Sequence, residues 1–264
     1  MRLAGIDFTS APSRAKPITV ALGSLEGDRL HVEAVEALPG FEAFEAWLAS
    51  PGPWLCAFDF PFGLPRAFVE ANRLGASCAE AIASVHARCP TRMSWRAFID
   101  AWGNTQPRGQ RLLHRATDTA SAVPSTSPLQ TRYVPVGLMY SEGVHRLVRA
   151  GVTMPGQHAG DPGRVALEGY PRRLAHALIE RRSYKNEDLP DRSAAREAIV
   201  VGLEGAAGGA AVLRDTALRR SLIADASGDR LDAVLCLVQA ARASGIERYG
   251  LPERVDPVEG WIAG

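Results

Sequence analysis

Between Trp54 and Pro65 the chain reads WLCAFDFPFGLP, five apolar residues that run into an acid, Asp59, and then into Pro61. A short apolar run stopped by proline reads as a buried strand. A carboxylate closing such a strand loses its water, so it needs a hydrogen-bond set, a cation or a metal to stay ionised. The rest of the chain is read for what meets Asp59.

Upstream, Leu3–Phe8 is a second apolar strand; it carries Asp7 near its end and stops at Thr9-Ser10-Ala11-Pro12. Residues 18–23 and 30–38 read as two further strands, with Gly27-Asp28 as the turn between them. Three strands in tight succession predict an antiparallel meander. After Pro39-Gly40, Phe41, Phe44, Trp47 and Leu48 recur at helical spacing. A helix between strands is the crossover that permits parallel pairing, so the Trp54–Asp59 strand is expected beside the first. Asp7 and Asp59 would then end neighbouring strands that point the same way.

Beyond Pro65 the pattern changes. Helices are predicted over residues 66–74, 78–88, 94–102 and 136–150, with an irregular, Arg- and Ser/Thr/Pro-rich stretch over 103–133 that reads as a functional loop or a partly disordered one. Residues 66–163 are taken as an insertion within a single domain spanning 1–264. A fifth strand, VALEG, covers 165–169 and presents Glu168. Helices follow over 172–182, 192–204, 209–223 and 229–243, and Trp261-Ile262 of the tail is expected to dock on the core. The last long helix opens DRLDAVLCLVQAA. Asp229 there is a natural cap or first-turn residue, whereas Asp232 stands among Leu231, Val234, Leu235 and Val238, where an acid has no evident structural use.

Composition removes several classes. The four cysteines, Cys56, Cys78, Cys89 and Cys236, form no CxxC pair, and His114 and the other histidines stand alone, so neither zinc nor a disulfide framework is expected. Lysine occurs only at positions 16 and 185, and no GxxxxGK[ST] phosphate loop exists. No GxSxG elbow surrounds a serine. No apolar run reaches membrane-spanning length, and the opening MRLAGIDFTS lacks a basic leader followed by an apolar stretch, so a cytoplasmic protein is expected.

The blocks Gly5-Ile6-Asp7, Asp59-Phe60-Pro61-Phe62-Gly63-Leu64-Pro65, Glu168-Gly169-Tyr170-Pro171 and Asp229-Arg230-Leu231-Asp232-Ala233 follow one another in this order. Together they resemble an uncharacterised bacterial and archaeal family of predicted RNase H-like nucleases, over essentially the whole length. The resemblance implies an α/β fold, an RNase H-like mixed sheet of three antiparallel strands followed by two parallel ones, with flanking helices. It implies that acids of the first strand, the fourth strand and a late helix bind divalent metal. The DxxDA opening of the late helix is similar to that of Holliday-junction resolvases, which brings in Asp229 together with Asp232. The large insertion and Glu168 depart from the simpler members.

On that reading Asp7, Asp59, Glu168 and Asp232 are the catalytic candidates, and Asp7, Asp59, Asp229 and Asp232 the ligands of Mg²⁺ or Mn²⁺. Such carboxylates suit a phosphodiesterase that cleaves nucleic acid or a nucleotide with two metal ions, since hard cations take oxygen ligands and a pair of them serves both the attacking and the leaving oxygen. Asp7 would bridge the ions, Asp59 and Asp232 would complete separate sides, and Glu168 and Asp229 would lie at the periphery. Arg108, Arg111 and Arg115, with Arg132 beyond, and Arg172 and Lys185 near Glu168, are the candidate phosphate contacts. Competing readings stand beside each: an Asx turn for Asp7, backbone bonds near Gly63 for Asp59, a plain cap for Asp229, and solvated loops for the arginines. The competing functions are an actin-like-fold phosphotransferase or ATPase, and a non-catalytic adaptor that binds nucleotide or metal.

Overall fold

The computed structural model describes residues 1–205 and 211–263. By contact the chain divides into two compact units: Met1–Asp59 and Gly169–Gly250 with Ala263, and Phe60–Glu168 with Leu251–Ile262.

The first unit is built on β1 (Arg2–Asp7), β2 (Ile18–Glu26) and β3 (Arg29–Leu38), an antiparallel meander whose second turn uses Gly27 at a φ of 65°. Helix α1 (Phe41–Leu48) buries Phe44 and Leu48, and the Phe44 ring lies 5.3 Å from that of Phe8 and 6.4 Å from that of Phe58. This aromatic contact holds the crossover against β4 (Trp54–Asp59), which pairs parallel to β1 in the register Asp7 opposite Asp59. The predicted meander, crossover and parallel neighbour are all present.

The chain then enters the second unit. Its helices are α2 (Arg66–Ala71), α3 (Cys78–Arg88), α4 (Arg92–Asn104), the single turn α5 (Ala116–Thr119) and α6 (Val136–Arg149), followed by the parallel pair β5 (Val152–Thr153) and β6 (Asp161–Glu168). Phe68, Trp95 and Trp102 form its aromatic core, with the Phe68 ring 4.9 Å from Trp102, and the Trp95 indole donates to the Gly137 carbonyl at 2.9 Å. By contact the unit takes in Phe60–Glu168, wider than the 66–163 insertion expected: the Phe60 and Phe62 rings lie 5.2 Å apart, tilted, and the Leu64 amide bonds the Val258 carbonyl. The tail docks as expected: Ile262 is buried, bridges Glu168, and its amide bonds the Thr117 hydroxyl at 2.9 Å.

Back in the first unit come α7 (Pro171–Ile179), α8 (Pro190–Glu204), the short β7 (Ala211–Val212), α9 (Thr216–Ala224) and α10 (Asp229–Ser244). Residues 209–210 of the helix expected over 209–223 lie outside the described residues; the helix itself begins at Thr216, where Asp215 caps it through the Ala217 amide. The sheet of this unit runs β4-β1-β2-β3-β7. Helix α10 is apolar on nearly every side, and it is buried against β1, β2 and β4. No described helix is long and apolar enough to cross a membrane.

One residue sets the distance between β1 and α10. A β-carbon built on Gly5 would stand 2.0 Å from the Leu237 backbone nitrogen and 2.2 Å from the Ala233 carbonyl oxygen. Both obstacles are helix backbone, which no rotamer change can move aside. Gly5→Ala is therefore expected to exceed the usual overpacking cost of about 1–3 kcal/mol and to lower the urea midpoint sharply. A midpoint within error of wild type would disprove the close approach.

Candidate metal centre

Side chains two apart on a strand share a face. Gly5 faces Ala233 and Leu237 of α10, so Asp7, about 6–7 Å further along β1 at the strand rise, faces the first turn of the same helix. That turn carries Asp229 and Asp232. Asp59 joins from β4 because its register places it directly opposite Asp7. One carboxylate oxygen from each of Asp7, Asp59 and Asp232 lies within 4.8 Å of the other two. Asp232 is fully buried, Asp7 nearly so, and Asp59 half-buried.

Asp7 shows the electrostatic cost. Burial pushes its carboxyl well above the ordinary aspartate range; Lys185 pulls it down, Asp229 and Asp59 push it further up, and Lys16 pulls it down. Asp229 is thus an electrostatic neighbour of Asp7, half-buried at the helix start, with Gly228 in the capping position. Thr9 serves its own turn, accepting from the Ala11 amide at 3.4 Å.

Both oxygens of Asp232 are engaged by one dipeptide. The Tyr184 hydroxyl donates to Oδ1 at 2.6 Å, and the Lys185 ammonium pairs with Oδ2. Burial first, and then the Asp59 and Asp7 charges, raise the Tyr184 phenol so that it stays a donor. The buried Arg196 in turn holds the backbone of Tyr184, donating to its carbonyl at 3.0 Å and to the Ile223 carbonyl at 2.6 Å. Sequence reasoning missed Tyr184 and Arg196: an isolated tyrosine in a loop and an arginine on a helix carry no motif. Lys185 was expected to face phosphate; it meets Asp232.

Two expected site residues have other employment. Glu168 belongs to the second unit, where its Oε1 accepts from Arg115 at 2.6 Å and its Oε2 accepts from Arg115 and from the Phe62 amide, each at 2.8 Å. Asp118 takes the other side of the same guanidinium at 2.8 Å. Arg115 is 2 % exposed, so it is an internal counter-ion and does not face a phosphate, and Glu168 is saturated by donors instead of offering itself as a ligand. Arg108, Arg111 and His114 are exposed on the second unit, and Arg132, also exposed, pairs with Asp100 at 2.6 Å. Arg172 is exposed on α7, close enough for its charge to act on the Tyr184 phenol.

The donor set fits a hard divalent cation: three carboxylates, with neither histidine nor thiolate among them. Cys56 and Cys236 are buried thiols whose ionisation burial pushes up, and the Asp59 and Asp7 charges push Cys236 further. Comparison with protein-family models, curated proteins and solved structures gave no match.

Proposed function

We propose that the chain is a divalent-metal-dependent phosphodiesterase that cleaves nucleic acid, on an RNase H-like arrangement of its first unit. One observation carries the reading: acids from two adjacent strand ends and from a buried apolar helix converge to within 4.8 Å, and two of the three are buried. Carboxylates gathered out of water raise one another's energy, and a structural role needs no such gathering.

Asp7, Asp59 and Asp232 would hold Mg²⁺ or Mn²⁺, with Asp229 adding negative charge at the edge. When bound, such an ion polarises a phosphoryl oxygen and lowers the pKa of its water. The protein's own part is to fix the ligands. Gly5 sets the helix-to-strand distance, strand register aligns Asp7 with Asp59, and Tyr184 orients Asp232. Arg172 is the first-unit arginine we assign to the phosphate backbone.

The test is cleavage of single- and double-stranded DNA and RNA with Mn²⁺ or Mg²⁺ against an EDTA control, with ATP assayed in parallel. Metal-dependent chain cleavage that Asp59→Asn lowers by about 100-fold, the upper end of what loss of even an outer-shell partner costs, is the expected result. Orthophosphate release from ATP with intact nucleic acid would move the reading to a phosphotransferase, and no product with any ion to a non-catalytic binder.

A further inference from the structure

Only two of the thirty basic residues in this chain are lysines, and the charges of both act on Asp7. Lys16 is exposed on the loop after β1. Lys185 is held more closely. Its ammonium pairs with Asp232, and its neighbour Tyr184 bonds the other oxygen of the same carboxylate. Arg196 fixes the Tyr184 carbonyl. The Lys185 stem runs past Gly228, the residue that opens α10: a β-carbon there would stand 2.8 Å from the Lys185 Cγ, and the φ of 79° at Gly228 suits glycine. A solvated lysine pairing by chance with a surface acid has no such supports, and an exposed pair of that kind contributes little.

We propose that Lys185 is the second cation of the carboxylate centre, so that the site takes a single divalent ion and the lysine ammonium stands where a second would bind. The inference rests on the metal-dependent reading above. A carboxylate oxygen has two lone-pair directions, so Oδ1 of Asp232 can accept from Tyr184 and still face an ion shared with Asp7 and Asp59. Oδ2 has the ammonium against it, which excludes a metal on that side. The Lys185 side chain is 30 % exposed, open enough for a substrate phosphate to reach its compact charge. Arginine is not an equivalent here, because a planar five-donor fork differs from a compact point charge.

Titrate the full chain with MnCl₂ by calorimetry, and read the bound ion by electron paramagnetic resonance, where two neighbouring Mn²⁺ ions broaden and couple. Wild type is expected to take up one Mn²⁺ per chain with an uncoupled spectrum. Lys185→Met, which keeps the stem and removes the charge, is expected to take up two and to show coupling; a cooperative metal-free melting transition, lowered because Asp232 loses its cation, checks that the variant folds. Two ions in the wild type, or one ion in both proteins, overturns the inference and leaves the metal-dependent reading standing. No ion in the wild type overturns that reading and the inference with it.

Discussion

Asp7→Asn is expected to abolish Mn²⁺ binding and, in the same protein without metal, to raise the melting temperature. The two effects have one cause. Asp7 is 7 % exposed at the end of β1, with Asp59 opposite it and Asp229 acting on it from α10. Lys185 and Lys16 offset part of this, but the carboxyl still ionises well above the ordinary aspartate range. In the window between the unfolded value and that raised folded value, the folded chain holds a proton that the unfolded chain has released. Stability of the metal-free protein therefore falls as pH rises through this window, and the penalty is fully present above it. Asparagine keeps the shape without the charge, which should return about 1–3 kcal/mol. For chains near this length each kcal/mol moves the melting temperature by about 2–4 °C. Melting in EDTA from acid to neutral pH checks the sign: the wild type should lose more stability across the window than the variant. A variant that binds Mn²⁺ like the wild type, or that melts lower at neutral pH without metal, contradicts the account.

Arg115→Met is expected to be the most destabilising exchange in the second unit, at about 3–5 kcal/mol. The guanidinium serves Glu168 through two bonds of 2.6 and 2.8 Å, Asp118 through a bond of 2.8 Å, and the Glu259 carbonyl at 2.9 Å. Burial alone would lower its affinity for a proton, yet Glu168 and Asp118 more than reverse this, so it stays charged. Removing it leaves two buried carboxylates without a cation, and burial already pushes Glu168 upward even with Arg115 in place. The loss should appear in urea unfolding followed by fluorescence, since Trp95, Trp102 and Trp261 all belong to this unit. A loss under about 1 kcal/mol, the scale of an exposed ion pair, would show that the network carries no structural weight.

These two residues mark how far the sequence could be read. Asp7, Asp59 and Asp232 were legible because each breaks a local rule: two acids close apolar strands, and the third sits inside an apolar helix, where it is fully buried. The meander and the crossover were legible because alternation, helical spacing and the Pro39-Gly40 break all agree. Glu168 obeys the same outward pattern as Asp59, yet its partner is Arg115, 53 residues earlier. Which cation neutralises which acid is decided by tertiary approach, and no local spacing records it. β5 and β7, two residues each, are too short to show a period. The start of β6 was hidden because Asp161-Pro162-Gly163 has the composition of a turn.

The chain leaves the first unit after Asp59 and re-enters it at Gly169, and the Gly169 amide bonds the Phe58 carbonyl at 2.8 Å. Exit and return thus meet at a peptide contact next to one of the three clustered acids. A change in the length of the excursion alters loop-closure entropy only slowly, and the spacing of Asp7 and Asp59 is fixed by the pairing of β1 with β4. The spacing of the acidic centre is set by strand register and by Gly5, and both belong to the first unit.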